Sequence, residues 1–288
     1  MNEGKWMNRL LHWLLACLAL SGSPTLVAES LVSFPRLPRP AASGYAAVDG
    51  VKIWYGAWGA GQPVVLLEGG LTTADVYASL VPELVRHGYR AIALDTRCQG
   101  RSTCSPATLH YNLFAKDVIG TMDLLGIQRA AIVGFSDGAI VGLDLAMHYP
   151  SRVARVFVFG ADSSFAALIA SPKPMDPGYF ARWAASQEAL YRAESPTPDG
   201  WPQLRARITS KLWVTEPHFS QVELQAIHVP VWIVDGDHEQ FIPRSDTDMM
   251  ARTIPGAAEL ILPHADHLAM SEQPTLFNQA VLTFLSDR

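Results

Sequence analysis

Short runs of apolar residues alternate along the chain with longer segments in which apolar positions recur every three to four residues. Runs that are apolar throughout are typical of strands buried on both faces, and the longer period is typical of amphipathic helices. The predicted strands are Val64–Leu67, Ala91–Leu94, Ala131–Val133, Val156–Phe159, Val231–Val234 and Glu259–Leu262. The predicted helices are Asp75–His87, Asn112–Leu125, Gly138–His148, Ser245–Arg252 and Gln273–Leu285. This alternation predicts an α/β protein with a mostly parallel sheet covered by helices on both faces.

A predicted β-hairpin precedes this alternation. Asp49-Gly50, a strong signal for a two-residue hairpin turn, separates Ala46–Val48 from Val51–Trp58. Residues 31–44 contain the proline-rich sequence FPRLPRP, which predicts an extended lead-in to the hairpin.

One interval departs from the alternation. Between the strand that ends near Gly160 and the strand that starts near Val229 lie about seventy residues rich in Trp, Tyr, Phe and Pro. Helical periodicity covers parts of this interval, and it contains no apolar run of comparable strength. Because the interval is too long for an ordinary connection, we expect residues 162–228 to form a helical cap inserted into a core of residues 45–161 and 229–288.

Residues 1–28 have the three parts of a secretory signal peptide. Lys5 and Arg9 precede the apolar run Leu10–Leu20, and a small-residue, turn-prone stretch follows. The run is shorter than the roughly twenty apolar residues that a membrane-spanning helix needs. We therefore expect export to the periplasm or the medium, and no stable membrane span in the mature chain. Lipoprotein anchoring at Cys17 is the less favoured alternative, because the residues after Cys17 are apolar.

Composition narrows the function classes. The 288-residue chain is 49% hydrophobic and 17% charged, with a formal net charge of -5. This composition is typical of a globular protein, and the lack of a long Lys/Arg cluster argues against nucleic-acid binding. The sequence has no CxxC or Cys/His cluster with zinc spacing, so we expect neither a metal nor another cofactor. Once the leader is removed, Cys98 and Cys104 remain, and the sequence leaves open whether they form a disulfide or stay as thiols.

The sequence Gly134-Phe135-Ser136-Asp137-Gly138 lies between a predicted strand and a predicted helix. In this setting GxSxG is typical of a nucleophile elbow, a turn so tight that the residues two before and two after the serine must lack bulk. Ser136 would then lie at a helix N-terminus, where the helix dipole and free N–H groups favour negative charge. The alternative is a serine N-cap without a catalytic role.

With this elbow the chain resembles the α/β-hydrolase family from about Tyr45 to the C-terminus. The sequence blocks that carry the resemblance are the Gly-Gly turn after Val64–Leu67, Leu94-Asp95-Thr96-Arg97 with Gly100-Arg101-Ser102, GFSDG, Tyr149-Pro150, Gly236-Asp237-His238-Glu239 and Leu262-Pro263-His264-Ala265-Asp266-His267. The resemblance implies a catalytic triad in the chain order serine, acid, histidine, with Ser136 as the nucleophile.

The same resemblance implies His267 as the catalytic base, since it follows the last predicted strand and precedes the last helix. His264, three residues earlier, is the competing base. The family usually has Asp where this chain has Glu239, so we expect Glu239 to orient the base. Asp237 and Asp162, each just after a predicted strand, remain alternative acids.

An oxyanion hole needs two preorganised N–H donors. We expect one from Asp137, immediately after the nucleophile, and the other from Gly70, with Leu71 as the alternative donor. The family commonly has His-Gly in this turn, and this chain has Glu68 in place of the histidine. The carboxylate of Glu68 either accepts hydrogen bonds from loop amides or contacts the substrate.

The carboxylate of Asp137 bears on the substrate. GxSDG resembles the elbow of the valacyclovir hydrolase group of α-amino-ester hydrolases and of several bacterial relatives. A partly desolvated carboxylate at this position would favour a substrate with an ammonium group. Alternatively, Asp137 only complements the dipole of its helix.

Together these features predict a serine hydrolase of small carboxylic esters that works through an acyl-enzyme, with amino-acid esters as a candidate substrate class. The same triad also serves thioesters, lactones, amides and cofactor-free perhydrolysis, because the fold does not select the substrate. A non-catalytic ligand-binding protein of the same fold is the alternative from another functional class.

Overall fold

The computed structural model of the chain describes residues 35–170 and 177–287, so the predicted signal peptide and Cys17 lie outside the described residues. Within this part, eight strands form one sheet. The strands are β1 (Ala42–Val48), β2 (Val51–Trp58), β3 (Gln62–Leu67), β4 (Tyr89–Leu94), β5 (Ala130–Phe135), β6 (Val153–Phe159), β7 (Val231–Gly236) and β8 (Ala258–Leu262).

The sheet has the strand order β1-β2-β4-β3-β5-β6-β7-β8. β1 pairs antiparallel with β2, and β2 pairs antiparallel with β4. All pairs from β4 through β3 to β8 are parallel. The predicted mostly parallel sheet is therefore confirmed. All six residues of β5 are buried, as expected for a central strand covered on both faces.

The predicted hairpin joins β1 to β2. Val48 pairs with Val51, and the two turn residues, Asp49 and Gly50, have φ values of 42° and 78°. Positive φ at both turn positions matches a type I′ turn, whose twist suits two antiparallel strands.

Helices flank the sheet. The helices of the described chain are α1 (Leu80–Arg86), α2 (Tyr111–Leu124), α3 (Asp137–His148), α4 (Phe165–Ala170), α5 (Pro177–Glu194), α6 (Trp201–Thr209), α7 (Gln221–Gln225), α8 (Arg244–Thr253), α9 (Ala269–Glu272) and α10 (Pro274–Ser286). Short 3-10 helices occur at Ala74–Tyr77, Pro150–Arg152, Pro198–Gly200 and Leu212–Val214. None of the described helices is long and apolar enough to cross a bilayer.

The predicted helix over Asp75–His87 is divided in two. Ala74–Tyr77 is a 3-10 turn, and α1 begins only at Leu80. A continuous helix would need an N–H of Pro82 to reach the carbonyl of Ala78, and proline has no N–H. At the third position of α1 the missing donor costs little, because the first N–H groups of a helix have no partner within the helix.

Between β6 and β7 the described chain forms α4 to α7 without a strand of the sheet. An isolated bridge between Ser164 and His218 joins the beginning of this interval to its end. The helices lie within the predicted insertion, and the division of the chain at residues 162 and 228 stays a prediction.

Candidate active site

Ser136 lies on a sharp bend between β5 and α3, with φ 52° and ψ -121°. Non-glycine residues rarely adopt positive φ, and such strain is often retained at functional sites. A Cβ on Gly134 would lie 2.4 Å from the carbonyl oxygen of Gly138, and one on Gly138 would lie 2.2 Å from that of Leu67. Neither position has room for a side chain, so the two glycines of the motif are needed for the bend that presents Ser136.

His267 and Glu239 meet at the carboxyl edge of the sheet. Nδ1 of His267 lies 2.8 Å from Oε2 of Glu239, and both side chains are buried. Oε1 of Glu239 accepts the N–H groups of Phe241, at 2.6 Å, and Ile242, at 3.2 Å. Both oxygens of the carboxylate therefore accept hydrogen bonds, and these bonds fix its orientation towards the imidazole.

The imidazole of His267 lies beside the elbow. The ring of Phe135, the residue before the serine, is 5.0 Å from the imidazole centroid, and the ring of Phe241 is 4.6 Å from it. A Cβ on Gly160 would lie 3.0 Å from Nδ1, so the missing side chain there makes room for the ring. These contacts place the imidazole of His267 against Phe135, the residue directly before the predicted nucleophile.

A second carboxyl group, Asp235, lies behind Glu239. Burial, followed by repulsion from Glu239, raises the pKa of Asp235 well above its ordinary value. Burial alone would raise the pKa of Glu239 as well, but attraction to His267 and hydrogen bonds from His267, Phe241 and Asp235 lower it. Glu239 is therefore the ionised member of this pair, which suits a group that stabilises an imidazolium.

The alternative residues lie elsewhere. Asp237 is exposed, and its Oδ1 accepts the N–H of Ala265 at 3.2 Å. Asp162 is buried, and repulsion from Asp246 and Asp137 acts on it. His264 is exposed, with its ring 6.0 Å from that of His238. Glu239, and neither alternative acid, accepts the hydrogen bond of the His267 imidazole.

The turn after β3 lies against the elbow. A Cβ on Gly69 would be 3.1 Å from the Cβ of Ser136, and one on Gly70 would be 2.4 Å from Oδ2 of Asp137. The N–H of Leu71 donates to Oε1 of Gln99. The N–H of Gly70 has no acceptor in the described part of the chain. Of the two candidate donors in this turn, Leu71 is therefore already engaged and Gly70 is free.

Glu68 is completely buried beneath this turn. Its Oε1 accepts the N–H of Thr96 at 2.6 Å and Nε2 of Gln99 at 3.3 Å. Burial, followed by repulsion from Asp95, raises the pKa of Glu68 to about 8. These contacts favour the role of bonding loop amides over contact with a substrate.

The carboxylate of Asp137 is 6% exposed and has neutral partners. Oδ1 accepts the hydroxyl of Tyr111 at 3.1 Å and Nε1 of Trp213 at 2.9 Å. Burial raises its pKa to about 6, against the lowering effect of these two donors and of His267. A second buried acid, Asp162, lies near enough to repel it, and burial raises the pKa of Asp162 well above its ordinary value.

Four residues of this site were missed in the sequence. Gln99 lies between the two recognised segments Leu94–Arg97 and Gly100–Ser102, and Asp235 directly precedes the segment that begins at Gly236, but the sequence assigned no role to either residue. Tyr111 and Trp213 carry no local signal at all. They reach Asp137 only because α2 and the 3-10 turn at Leu212–Val214 pack over the elbow.

Two other features bear on the site. Cys98 and Cys104 form a disulfide with a Cα–Cα distance of 4.2 Å, which settles the question that the sequence left open. The exposed side chains of Asp237, His238 and His264 place their ligand atoms within 4.8 Å of one another and could hold a metal ion. The sequence expectation of no metal rested on spacing along the chain, and these residues come from two different loops.

Comparison with known proteins agrees with the fold. The sequence matches the model of the alpha/beta hydrolase fold family over residues 62–200. It is 25% identical to serine hydrolase BPHL of Mus musculus, over 84% of this chain and 86% of that protein. It is 26% identical to a non-heme haloperoxidase of Rhodococcus erythropolis, over 83% and 97% of the two chains. The crystal structure of the enol-lactonase from Burkholderia xenovorans LB400 superposes with a TM-score of 0.70 at 22% identity, covering 85% of this chain and 100% of that one. The chain therefore has the α/β-hydrolase fold, and the relatives that it resembles over most of its length include a serine hydrolase.

Proposed function

We propose that this protein is a hydrolase that cleaves small carboxylic esters through an acyl-enzyme on Ser136. The observation that carries the proposal is the 2.8 Å contact between Glu239 and His267, whose imidazole packs against Phe135 of the elbow that holds Ser136 at φ 52°. A nucleophile, a base and a group that orients the base are the three parts needed for acyl transfer.

The proposed reaction begins with proton transfer from the hydroxyl of Ser136 to His267, while the serine oxygen attacks the ester carbonyl. The N–H groups of Gly70 and Asp137 then stabilise the oxyanion of the tetrahedral intermediate. His267 gives its proton to the leaving alcohol, and an acyl-enzyme remains. Water attacks this intermediate with the same base, which releases the acid. Throughout, the negative charge of Glu239 stabilises the imidazolium.

Labelling with a fluorophosphonate tests the nucleophile. We expect one adduct on Ser136 in the folded wild-type protein and none in Ser136→Ala. A panel of p-nitrophenyl esters of increasing acyl length, with a thioester and a lactone arm, then ranks the substrate classes by kcat/KM. An unlabelled but folded wild-type protein would favour a non-catalytic binder. A higher kcat/KM for thioesters or lactones would replace the ester assignment.

A preference for amino-acid esters is the second candidate function. Asp137 and Asp162 are two buried acids near the elbow, and the hydrogen-bond donors to Asp137 are neutral. An ammonium group of a bound substrate would supply the missing positive charge. We expect amino-acid esters to exceed their N-acylated counterparts in kcat/KM, and Asp137→Asn to reduce that ratio. An unchanged ratio in Asp137→Asn would end this idea.

Export remains part of the proposal. The signal-peptide pattern of residues 1–28 supports it, and so does the Cys98–Cys104 disulfide, because such bonds persist mainly in oxidising compartments. Expression of the full chain in a bacterial host, followed by fractionation and N-terminal sequencing, tests it. A cytoplasmic protein with an intact leader would contradict export, and incorporation of labelled fatty acid would favour anchoring at Cys17.

A further inference from the structure

The side chain of Gln99, which comes from another loop, contacts the turn that supplies the Gly70 N–H. Gln99 is 2% exposed and lies in the connection between β4 and α2. Its Oε1 accepts the N–H of Leu71, and its Nε2 lies 3.3 Å from Oε1 of Glu68 and 3.5 Å from the carbonyl oxygen of Gly69. Gln99 therefore contacts the turn on both sides of Gly70.

The direction of the Gly70 N–H depends on these contacts. The carbonyl of Gly69 and the N–H of Gly70 belong to one planar trans peptide, so fixing one fixes the other. Thr72 donates its hydroxyl to this carbonyl at 2.7 Å, and Gln99 holds the next peptide at Leu71. Leu71 has φ 62°, a conformation that costs a non-glycine residue about 1–2 kcal/mol. The surroundings must hold such a residue, and Gln99 is the acceptor that does so.

The disulfide closes the loop that carries Gln99. Cys98, the residue directly before Gln99, is bonded to Cys104. The N–H of Cys98 also donates to the carbonyl of Thr103 at 3.0 Å, and the N–H of Ser102 donates to that of Gln99 at 3.0 Å. The covalent bond thus limits how far the backbone of Gln99 can move from the turn.

We propose that Gln99 is a positioning residue for the oxyanion hole and that the Cys98–Cys104 disulfide keeps it in place. The inference rests on the proposed acyl transfer at Ser136. Without the Gln99 acceptor, the buried Leu71 N–H is unpaired, and the turn relaxes towards conformations in which the Gly70 N–H no longer points at the oxyanion. Since the oxyanion exists only beyond the ground state, the loss falls on kcat and leaves KM almost unchanged.

Replacing Gln99 by leucine tests the positioning role. Losing one oxyanion donor lowers kcat by about 10²–10³, so a displaced donor should cost about ten- to a hundredfold in kcat. We expect KM to change less than about twofold, because substrate binding does not use this donor. Affinity for a boronic acid, which forms a tetrahedral adduct on the serine, should fall by the same factor as kcat.

A second variant of the same loop separates positioning from simple destabilisation. The hydroxyl of Ser102 bonds to the carbonyl of Asp95 at 2.5 Å and accepts the N–H of Trp54 at 2.8 Å, away from the turn. Ser102→Ala should lower the free energy of unfolding and leave kcat unchanged. A lower kcat in Ser102→Ala at a matched loss of stability would show that any damage to the loop slows the reaction, which overturns the specific role of Gln99.

Reduction of the disulfide provides a second test of the positioning role. Treatment with a phosphine reductant, or the double variant Cys98→Ser with Cys104→Ser, should lower kcat of the wild type severalfold. It should cause no further loss in Gln99→Leu, because both changes act through one contact. Equal losses in the two backgrounds would mean that the disulfide acts elsewhere, for example through Arg207, whose guanidinium lies 2.9 Å from the sulfur of Cys104.

The two levels of the proposal fail in different ways. A folded wild type that takes no fluorophosphonate on Ser136 contradicts the proposed function itself. A labelled, active wild type whose kcat is unaffected both by Gln99→Leu and by reduction overturns the positioning role alone. If Gln99→Leu does not fold, the kcat and the boronic acid affinity of the reduced wild type test the positioning role in its place.

Discussion

Replacing Glu68 by glutamine tests whether the buried carboxyl beneath the oxyanion turn limits stability at neutral and alkaline pH. Burial, followed by repulsion from Asp95, raises the pKa of Glu68 from 4.5 to about 8. In the unfolded chain the group is hydrated and loses its proton near its ordinary pKa of about 4.3–4.5. Between these pH values the folded protein retains a proton that the unfolded chain has released.

The sign of the effect follows from proton linkage. Because the folded state binds more protons in this window, the free energy of unfolding falls as the pH rises, by up to about 1.4 kcal/mol per pH unit. From pH 5 to pH 8 the contribution of Glu68 sums to roughly 3 kcal/mol, and above pH 8 it levels off because both states are ionised. Glutamine retains an acceptor oxygen for the Thr96 N–H but does not titrate, so its variant lacks this slope.

Urea unfolding with the disulfide intact, at steps between pH 5 and pH 8.5, measures the effect. We expect the difference in free energy of unfolding between Glu68→Gln and wild type to move in favour of the variant by roughly 3 kcal/mol over this range. Taking the difference cancels the contributions of those buried acids that do not interact with Glu68. Glu83→Gln, at a position on α1 whose side chain is 30% exposed, is the control and should give a curve parallel to that of the wild type. A Glu68→Gln curve that is also parallel, within about 0.5 kcal/mol, would refute the reasoning.

Three further predictions test the site. Glu239→Gln removes the charge that stabilises the imidazolium, so kcat for a p-nitrophenyl ester should fall by about 10³–10⁴. The control variant Asp237→Asn should retain activity. Equal losses in the two variants would mean that the acid is wrongly assigned. Ser136→Gly and Ser136→Ala should both abolish acylation. In thermal unfolding the glycine variant should be more stable than the alanine variant by about 1 kcal/mol, because only glycine tolerates φ 52° without strain. Equal stabilities would argue against that strain. Gly70→Ala would place a Cβ 2.4 Å from Oδ2 of Asp137. We therefore expect kcat/KM to fall about tenfold or more and the free energy of unfolding to fall by about 1–3 kcal/mol. Unaltered kinetics would contradict the placement of the turn against the elbow.

Much of the fold could be predicted from periodicity. The apolar run Val64–Leu67 became the buried end of β3, and the helical pattern over Gln273–Leu285 became α10. Such segments are predictable because burial on one or two faces imposes its own spacing on neighbouring residues. The division of Asp75–His87 was missed because the pattern of apolar positions does not register the lost donor of Pro82.

The candidate site was only partly predictable. The positions of Ser136 and His267 followed from motifs in which each residue is tied to the end of a strand. The contacts of Gln99 with the oxyanion turn and of Trp213 with Asp137 were not predictable, because their partners come from distant loops and helices. Side chains of this kind have no required spacing in the chain.

The sequence by itself determined the alternation of strands and helices and the two glycines that allow the bend at Ser136. Both features depend only on residues that are close together in the chain: the spacing of buried positions in one case and steric crowding at the bend in the other. Only the tertiary structure decided that Glu239 rather than Asp237 accepts the hydrogen bond of His267, because 28 residues separate Glu239 from His267 in the chain. It also decided that the Leu71 N–H has an acceptor in Gln99, while the Gly70 N–H has none among the residues that the structure describes. Both outcomes depend on how separate loops pack at one edge of the sheet, where a shift of one or two ångströms changes which polar groups can meet.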